Sequence, residues 1–252
     1  MRRANHAVEL DAAQADAADN GVKAMIPIGR PFLDYVLSAV ADAGYTEVCL
    51  VIGPEHDTMR SHYSGIEIRR IRISFEEQER ALGTADAVLA AEHFVGGERF
   101  LVLNADNYYP ATVLAELRRF GSAALAGFDP EVLVRDGNVS PKRLAGYAVV
   151  EVDDDGMLRT IVEKPTAVPP RGAGRFISMN AWLFNSSIFE ACRSIAPSSR
   201  GELELSQAVQ HLVEKMGARI RVIPFFAPVL DLSTRADIPA VAARLARTPV
   251  RL

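Results

Sequence analysis

The chain has 252 residues, 49% of them hydrophobic, and a formal net charge of −4 at pH 7. This length can bury one sizeable core, and we predict a single domain over residues 1–252. The charge offers no electrostatic basis for nucleic-acid binding, and no apolar run has the length of a membrane span. Cys49 and Cys192 lack CxxC spacing, which predicts core thiols in a reducing compartment and thus a cytoplasmic protein.

Segments with strand patterns alternate with segments of helical period, which predicts βα units around a sheet. Helices are predicted over residues 31–43, 84–92, 110–120, 186–195, 202–216 and 235–246. Strands are predicted over residues 47–52, 66–74, 100–104, 123–128, 147–152, 158–163, 176–184 and 219–226. Asp-Gly within residues 153–156 indicates a hairpin, so the second half should add antiparallel strands. We therefore predict an α/β fold with a doubly wound, mainly parallel mixed sheet.

The densest basic cluster, Arg69, Arg70 and Arg72, is interleaved with isoleucines. This pattern favours the solvated face of an edge strand over a binding patch. The alternation slips by one residue at Arg69-Arg70, which indicates a bulge within the predicted strand.

The apolar run Phe100–Leu103 is followed closely by Asp106. Open α/β sheets bind ligands at the carboxyl ends of their strands, so Asp106 is the first candidate for chemistry. Taken alone, an equally good interpretation is that Asp106 caps the helix beginning near Pro110 or forms an Asx-turn.

Further motifs accompany Asp106 in a fixed order along the chain. They are Lys23–Pro31, Gln78–Ala87, Gly146–Val150, Glu163–Pro165, Met179–Ala181, Gly201–Leu205 and Asp231–Thr234. In this order and spacing they resemble the sugar-1-phosphate nucleotidyltransferases, the pyrophosphorylases that make nucleotide-sugars. The resemblance extends from Lys23 to Leu245. It implies transfer of a nucleotidyl group from a nucleoside triphosphate to a sugar 1-phosphate, with pyrophosphate released.

The resemblance also implies a magnesium site. Asp106 would bind Mg²⁺ between the phosphates, Asp231 would complete the site, and Lys23 would contact the phosphates near the reacting centre. By itself, Asp231 is better explained as the N-cap of the helix near Arg235. In the family, tryptophan usually stands two residues before the second aspartate and glycine two residues after it, where this chain has Val229 and Ser233. Glycine usually precedes the first aspartate and proline the lysine, where this chain has Ala105 and Val22.

Four further residues match family positions at the sugar phosphate. Lys164 would bind the phosphate, Glu163 would accept hydrogen bonds from sugar hydroxyls, and Gly146 and Asn180 would line the sugar. Asn180 has an alternative role, since its amide can satisfy buried backbone groups. Residues 165–175 are rich in proline and glycine and predict a mobile surface loop beside this pocket.

Gln78 and Gly83 match the positions that contact the base. The glutamine amide would pair with a pyrimidine edge, while the glycine lets the ring approach closely. UTP or dTTP is therefore favoured as the donor. The sequence leaves the sugar, the base and the oligomeric state open, with a homo-oligomer among the alternatives.

Family members begin with a strand and a glycine-rich loop of the form G-x-G-T-R-M that holds the triphosphate. In this chain Met1-Arg2-Arg3 resembles only the tail of such a loop, and residues 1–22 form an atypical segment before the family-like region 23–252. The expectation is that the sequence starts late and binds triphosphate weakly. The alternative is a catalytically inactive sugar-nucleotide-binding or regulatory paralogue.

Overall fold

The computed structural model describes residues 14, 23–165 and 174–252. The expectations for the segment 1–22, apart from Gln14, and for most of the loop 165–175 concern residues outside these ranges. The α-helices, in chain order α1 to α9, are Phe32–Asp42, Asp57–Gly65, Thr84–Ala90, Glu92–Val95, Ala111–Arg119, Pro130–Arg135, Ser187–Ser194, Leu205–Glu214 and Ile238–Leu245. Short 3-10 helices cover Lys23–Met25, Pro141–Gly146 and Arg235–Asp237.

The strands, β1 to β10, are Glu47–Ile52, Arg72–Glu77, Phe100–Val102, Asn107–Tyr108, Ala124–Phe128, Ala148–Val152, Leu158–Val162, Arg175–Phe184, Arg221–Phe225 and Leu230–Asp231. The largest sheet has the order β7-β6-β8-β5-β9, and β3 also pairs with β8. A parallel pair, β1 with β2, and an antiparallel pair, β4 with β10, form two smaller sheets. The mixed α/β architecture predicted from the sequence is confirmed.

The direction of strand pairing differs from the mainly parallel sheet that was expected. In the described part of the chain, the parallel strand pairs are β1–β2 and β5–β9, and the other strand pairs are antiparallel. The reason is β8, which runs antiparallel to β3, β5 and β6. Its nearly continuous apolar run is buried because strands and helices cover it. The predicted hairpin at residues 153–156 is confirmed as the β6–β7 connection, where Asp153 N–H bonds to Met157 O at 2.9 Å.

The core surrounds the large sheet and α1. Trp182 and Phe184 of β8 are fully buried and stack with ring centroids 5.4 Å apart. They pack with α7 and α8 on one side of the molecule. α1 is buried along nearly its whole length and contributes to two further apolar clusters. Among the described residues, no helix combines the length and apolarity required to cross a membrane.

Most predicted elements match observed elements within a few residues, but the predicted strand 66–74 is wrong. β2 covers Arg72–Glu77, and the expected bulge at Arg69-Arg70 falls before the strand begins. Ile66 and Ile68 pack against the core without strand pairing. The arginines form exposed ion pairs with Glu67, Asp42 and Glu47, in keeping with a solvated face.

Candidate active site

The pairing of β4 with β10 brings Asp106 and Asp231 together. Asp231 is paired with Asn107, the residue after Asp106, and Leu232 N–H donates to Asp106 O at 2.8 Å. The carboxylates are far apart in the sequence but lie on adjoining backbone segments. Pro110 is the N-cap of α5, with no side-chain cap, so Asp106 is not that helix's cap. Its Oδ2 instead accepts a hydrogen bond from Lys23 Nζ at 3.2 Å.

Asp231 is buried and held by several donors. Its Oδ1 accepts from Ser233 Oγ at 2.7 Å and from Asn107 Nδ2 at 3.3 Å. Its Oδ2 accepts from Tyr147 Oη at 2.5 Å and from the Arg143 guanidinium. Burial raises the pKa of Asp231 above its ordinary value, and the hydrogen bonds from Tyr147 and Ser233 oppose that shift.

The alternative role of Asp231 as a helix cap is not observed. Thr234 is the N-cap of the following 3-10 helix and forms a capping box with Asp237. This leaves the Asp231 side chain facing the site.

Two residues that the sequence analysis did not single out position Asp231. Arg143 bridges the carboxylates of Asp231 and Asp237. Asn138 forms a reciprocal pair with the Asp231 backbone, because its Nδ2 donates to Asp231 O and its Oδ1 accepts from Asp231 N, both at 2.8 Å. These contacts join distant segments of the chain, so no local pattern could have indicated them.

Most of the predicted sugar and metal residues line one pocket of about 190 Å³. The predicted residues at its wall are Asp106, Gly146, Glu163, Asn180 and Asp231. The pocket is also lined by Asn104, Asn107, Tyr147, Ala148, Ser178 and Ser233. Lys23 is not part of the lining but donates a hydrogen bond to Asp106, which is. The lining is predominantly polar, which suits a ligand rich in hydroxyl and phosphate oxygens.

Lys164 and Asn180 are the non-glycine residues with positive φ in the described part of the chain, at 43° and 58°. Such conformations cost free energy and concentrate at functional sites. Asn180 Oδ1 accepts from Trp182 Nε1 at 3.3 Å, so its carbonyl contacts an indole and not a backbone donor. Lys164 follows β7, is exposed and does not line the pocket.

Glu163 is half-buried at the pocket wall. Burial raises the pKa of its carboxyl above the ordinary value, and the carboxylates of Glu204 and Glu202 act in the same direction. The Ser206 hydroxyl and the Arg200 guanidinium oppose them. The carboxyl of Glu163 is thus available at the pocket wall.

Gln78 and Gly83 form a separate group outside the lining of this pocket. Gln78 follows β2, and its Nε2 donates to Gly83 O at 3.0 Å and to Asp86 Oδ2 at 2.7 Å. Gly83 has φ +128°, and a Cβ at that position would lie 2.4 Å from Leu203 O. The close approach at Gly83 is therefore made by the chain's own backbone.

The donor set of the pocket fits a magnesium ion. Two carboxylates, a hydroxyl and side-chain amides are hard oxygen ligands, and Mg²⁺ commonly uses one or two carboxylates together with waters and substrate phosphates. The residues that the structure describes contain no group of three or more histidine, cysteine, aspartate or glutamate side chains that could hold a metal. A site built from Asp106 and Asp231 would therefore rely on substrate oxygens.

Comparison with known proteins gives three findings. A family model described as nucleotidyl transferase matches residues 19–225. A Streptomyces antibioticus protein named glucose-1-phosphate thymidylyltransferase is 34% identical over 210 residues, which are 83% of this chain and 56% of that protein. A Haloferax volcanii protein named UTP–glucose-1-phosphate uridylyltransferase AglF is 27% identical, over 88% of this chain and 87% of that protein.

Solved structures share the fold. A crystal structure of UDP-glucose pyrophosphorylase complexed with UDP-glucose superposes with a TM-score of 0.73 at 18% identity, covering 90% of this chain and 91% of that one. The chain spans about half the length of several curated relatives that it matches, between 44% and 56%.

Proposed function

The chain belongs to the nucleotidyl transferase family, and from this membership and the site we propose that it transfers a nucleotidyl group from a nucleoside triphosphate to a sugar 1-phosphate. Pyrophosphate leaves and a nucleotide-sugar forms. The observation that carries the proposal is the convergence of Asp106 and Asp231 on one polar pocket, with Lys23 bound to Asp106.

The reaction requires the chain to bring anions together. A phosphate monoester loses its second proton near pH 6, so the sugar phosphate is already an anionic nucleophile at neutral pH and no general base is needed. Its oxygen attacks the α-phosphorus in line with the bond to pyrophosphate, which breaks as the new bond forms. Catalysis then depends on positioning and on neutralising the phosphate charge.

Different residues at and beside the pocket would bind the phosphates and the sugar. Lys23 would neutralise charge near the reacting phosphates, and Lys164 would do so at the sugar phosphate. Glu163 would accept hydrogen bonds from sugar hydroxyls. Asn180, held by Trp182 in its left-handed conformation, would fix the sugar ring.

Asp106 and Asp231 would hold a Mg²⁺ ion, which when bound supplies charge neutralisation at the phosphate oxygens. Asn107, Ser233, Tyr147 and Arg143 fix the orientation of the Asp231 carboxylate. Partners of this kind commonly tune metal affinity.

The names of the relatives support glucose 1-phosphate as the acceptor and UTP or dTTP as the donor. Both cysteines are free, which supports the predicted cytoplasmic location. A homo-oligomer remains a prediction that light scattering of the purified protein would test.

The test is a panel of triphosphates against sugar 1-phosphates with Mg²⁺ present, followed by phosphorus NMR. We expect UTP or dTTP with glucose 1-phosphate to yield equal amounts of nucleotide-sugar and pyrophosphate. Preference for UTP or dTTP over ATP and GTP should be at least about tenfold, because an unpaired base-edge hydrogen bond costs about 1–3 kcal/mol. Absence of any nucleotide-sugar would contradict the proposed function, and preference for a purine would contradict only the base assignment.

A further inference from the structure

The amide of Gln78 has its orientation fixed by two acceptors on the same side. Gly83 O lies 3.0 Å from Nε2, and Asp86 Oδ2 lies 2.7 Å from the same nitrogen. A carbonyl and a carboxylate can only accept, so the amide nitrogen must face them both. Both N–H groups of Gln78 are thereby used, and Oε1 is the atom left to face a ligand.

Three hydrogen bonds hold the segment that carries Asp86. Leu203 N donates to Leu82 O at 2.7 Å, Ala85 N donates to Leu203 O at 2.9 Å, and Leu205 N donates to Thr84 Oγ1 at 2.9 Å. These bonds attach the start of α3 to the segment before α8. Asp86 also lies in the first turn of α3, where the helix dipole favours a carboxylate.

We propose that Asp86 is a positioning residue that makes Gln78 present only an acceptor to the base, so that the chain selects uracil or thymine over cytosine. This inference rests on the proposed function and on Gln78 as the residue that contacts the base. A glutamine that is free to rotate its amide can present either a donor or an acceptor. Rotation here would turn Oε1 toward two acceptors and break both hydrogen bonds.

The selection follows from the atoms at position 3 of the pyrimidine ring. Uracil and thymine carry a hydrogen on N3, which Gln78 Oε1 can accept. Cytosine carries a lone pair on N3, which would face the lone pairs of Oε1. A site that holds a fixed hydrogen-bonding partner rejects a ligand that cannot pair with it.

The first test uses the unaltered protein and titration calorimetry with UTP, CTP and N3-methyl-UTP, each with Mg²⁺. We expect UTP to bind at least about tenfold more tightly than CTP or N3-methyl-UTP, since both lack the N3 hydrogen. Equal affinity for UTP and N3-methyl-UTP, or tighter binding of CTP, would overturn the proposal. This arm does not depend on the folding of any variant.

The second test is Asp86→Asn, because asparagine can donate to Oε1 of a rotated Gln78. The ratio of UTP to CTP affinity should fall by at least about fivefold, mainly through a gain for CTP. Asp57→Asn is the matched control, since Asp57 is exposed in the first turn of α2. An unchanged ratio in Asp86→Asn, or an equal change in both variants, would overturn the assignment of Asp86. If only the assignment of Asp86 is wrong, the protein will still turn over UTP. If the proposed function is wrong, no pair of substrates will give turnover.

Discussion

Asp106 and Asp231 occupy different environments, and this difference sets what each can do. Asp231 is buried among donors from four residues, whereas the Asp106 side chain is 26% exposed and is bound by Lys23. Lys23 and Asp106 form a partly exposed pair whose contribution to stability is small. Asp106 is therefore the carboxylate more available to a cation and to phosphate-bound ligands.

The first prediction concerns Asp106→Asn. The substitution keeps the size of the side chain but removes its charge, so turnover in the nucleotidyl transfer reaction should fall about a thousandfold, or about 4 kcal/mol of transition-state stabilisation. Asp57→Asn should leave turnover unchanged. If Asp106→Asn retained most of its activity at saturating Mg²⁺, Asp106 would not be a magnesium ligand.

The second prediction concerns the pH dependence of stability at Glu163. Burial raises the pKa of this carboxyl in the folded state. Its contribution to stability is therefore present below the unfolded pKa of about 4.3 and is lost as the pH rises through the folded pKa. Glu163→Gln should be more stable than the unaltered protein at neutral pH, and the difference should shrink on acidification.

Urea denaturation across this pH range measures the difference. Glu151→Gln is the control of opposite sign, since hydrogen bonds from Arg159 and Arg175 lower the pKa of Glu151. Stability from Glu151 is present above the unfolded pKa and is lost as the pH falls, so Glu151→Gln should be slightly less stable at neutral pH. Loss of stability in Glu163→Gln at neutral pH would show that the interactions of Glu163 with Ser206 and Arg200 outweigh its burial.

At the scale of elements, the site depends on the short pairing of β4 with β10. Asn138 holds β10 through two hydrogen bonds to the Asp231 backbone. Asn138→Ala should cost about 1–3 kcal/mol of unfolding free energy and should misplace Asp231. Turnover should fall at least about tenfold below that of Val209→Ala, a core variant of similar expected stability that does not line the pocket. Equal turnover in the two variants would show that Asn138 stabilises the fold without positioning Asp231 for the reaction.

Gly83, in the connection between β2 and α3, and Gly65, the last residue of α2, form a matched glycine pair. Gly83 has φ +128°, and a Cβ there would lie 2.4 Å from Leu203 O, whereas nothing lies within 4 Å of a Cβ at Gly65. Gly83→Ala should lower the unfolding free energy by more than about 1 kcal/mol, while Gly65→Ala should be neutral or stabilising by up to about 1 kcal/mol. Guanidinium denaturation of both variants would compare them, and equal stabilities would contradict the close contact with Leu203.

Local sequence patterns predicted the elements that bury a continuous apolar face. α1 and β8 lie within about a residue of their predicted bounds, because α1 has a helical apolar period and β8 is a nearly continuous apolar run. α2 was not predicted, since its sequence is polar and it buries only Met59 and Tyr63. Antiparallel strands were predicted for the second half of the chain, but the pairing of β8 with β3 and β5 was not, because these partners are distant in sequence.

At the scale of the whole molecule, the pocket collects residues from segments spread over much of the chain. Motif order predicted a common site for the metal and sugar-phosphate residues. Five of them, Asp106, Gly146, Glu163, Asn180 and Asp231, lie at the pocket wall, whereas Lys164 lies outside the lining. The residues that orient Asp231 could not be predicted in this way, because their partners are distant in sequence.

The most direct test of the central claim follows the α-phosphorus of the nucleotide. The protein would be incubated with UTP or dTTP labelled at the α-phosphorus, glucose 1-phosphate and Mg²⁺, and the labelled products would be separated by chromatography. We predict that the label enters a nucleotide-sugar, in amounts equal to the pyrophosphate released, and that Asp106→Asn slows this transfer about a thousandfold. Label that stays in the triphosphate, or that appears only in free nucleoside monophosphate, would contradict the account.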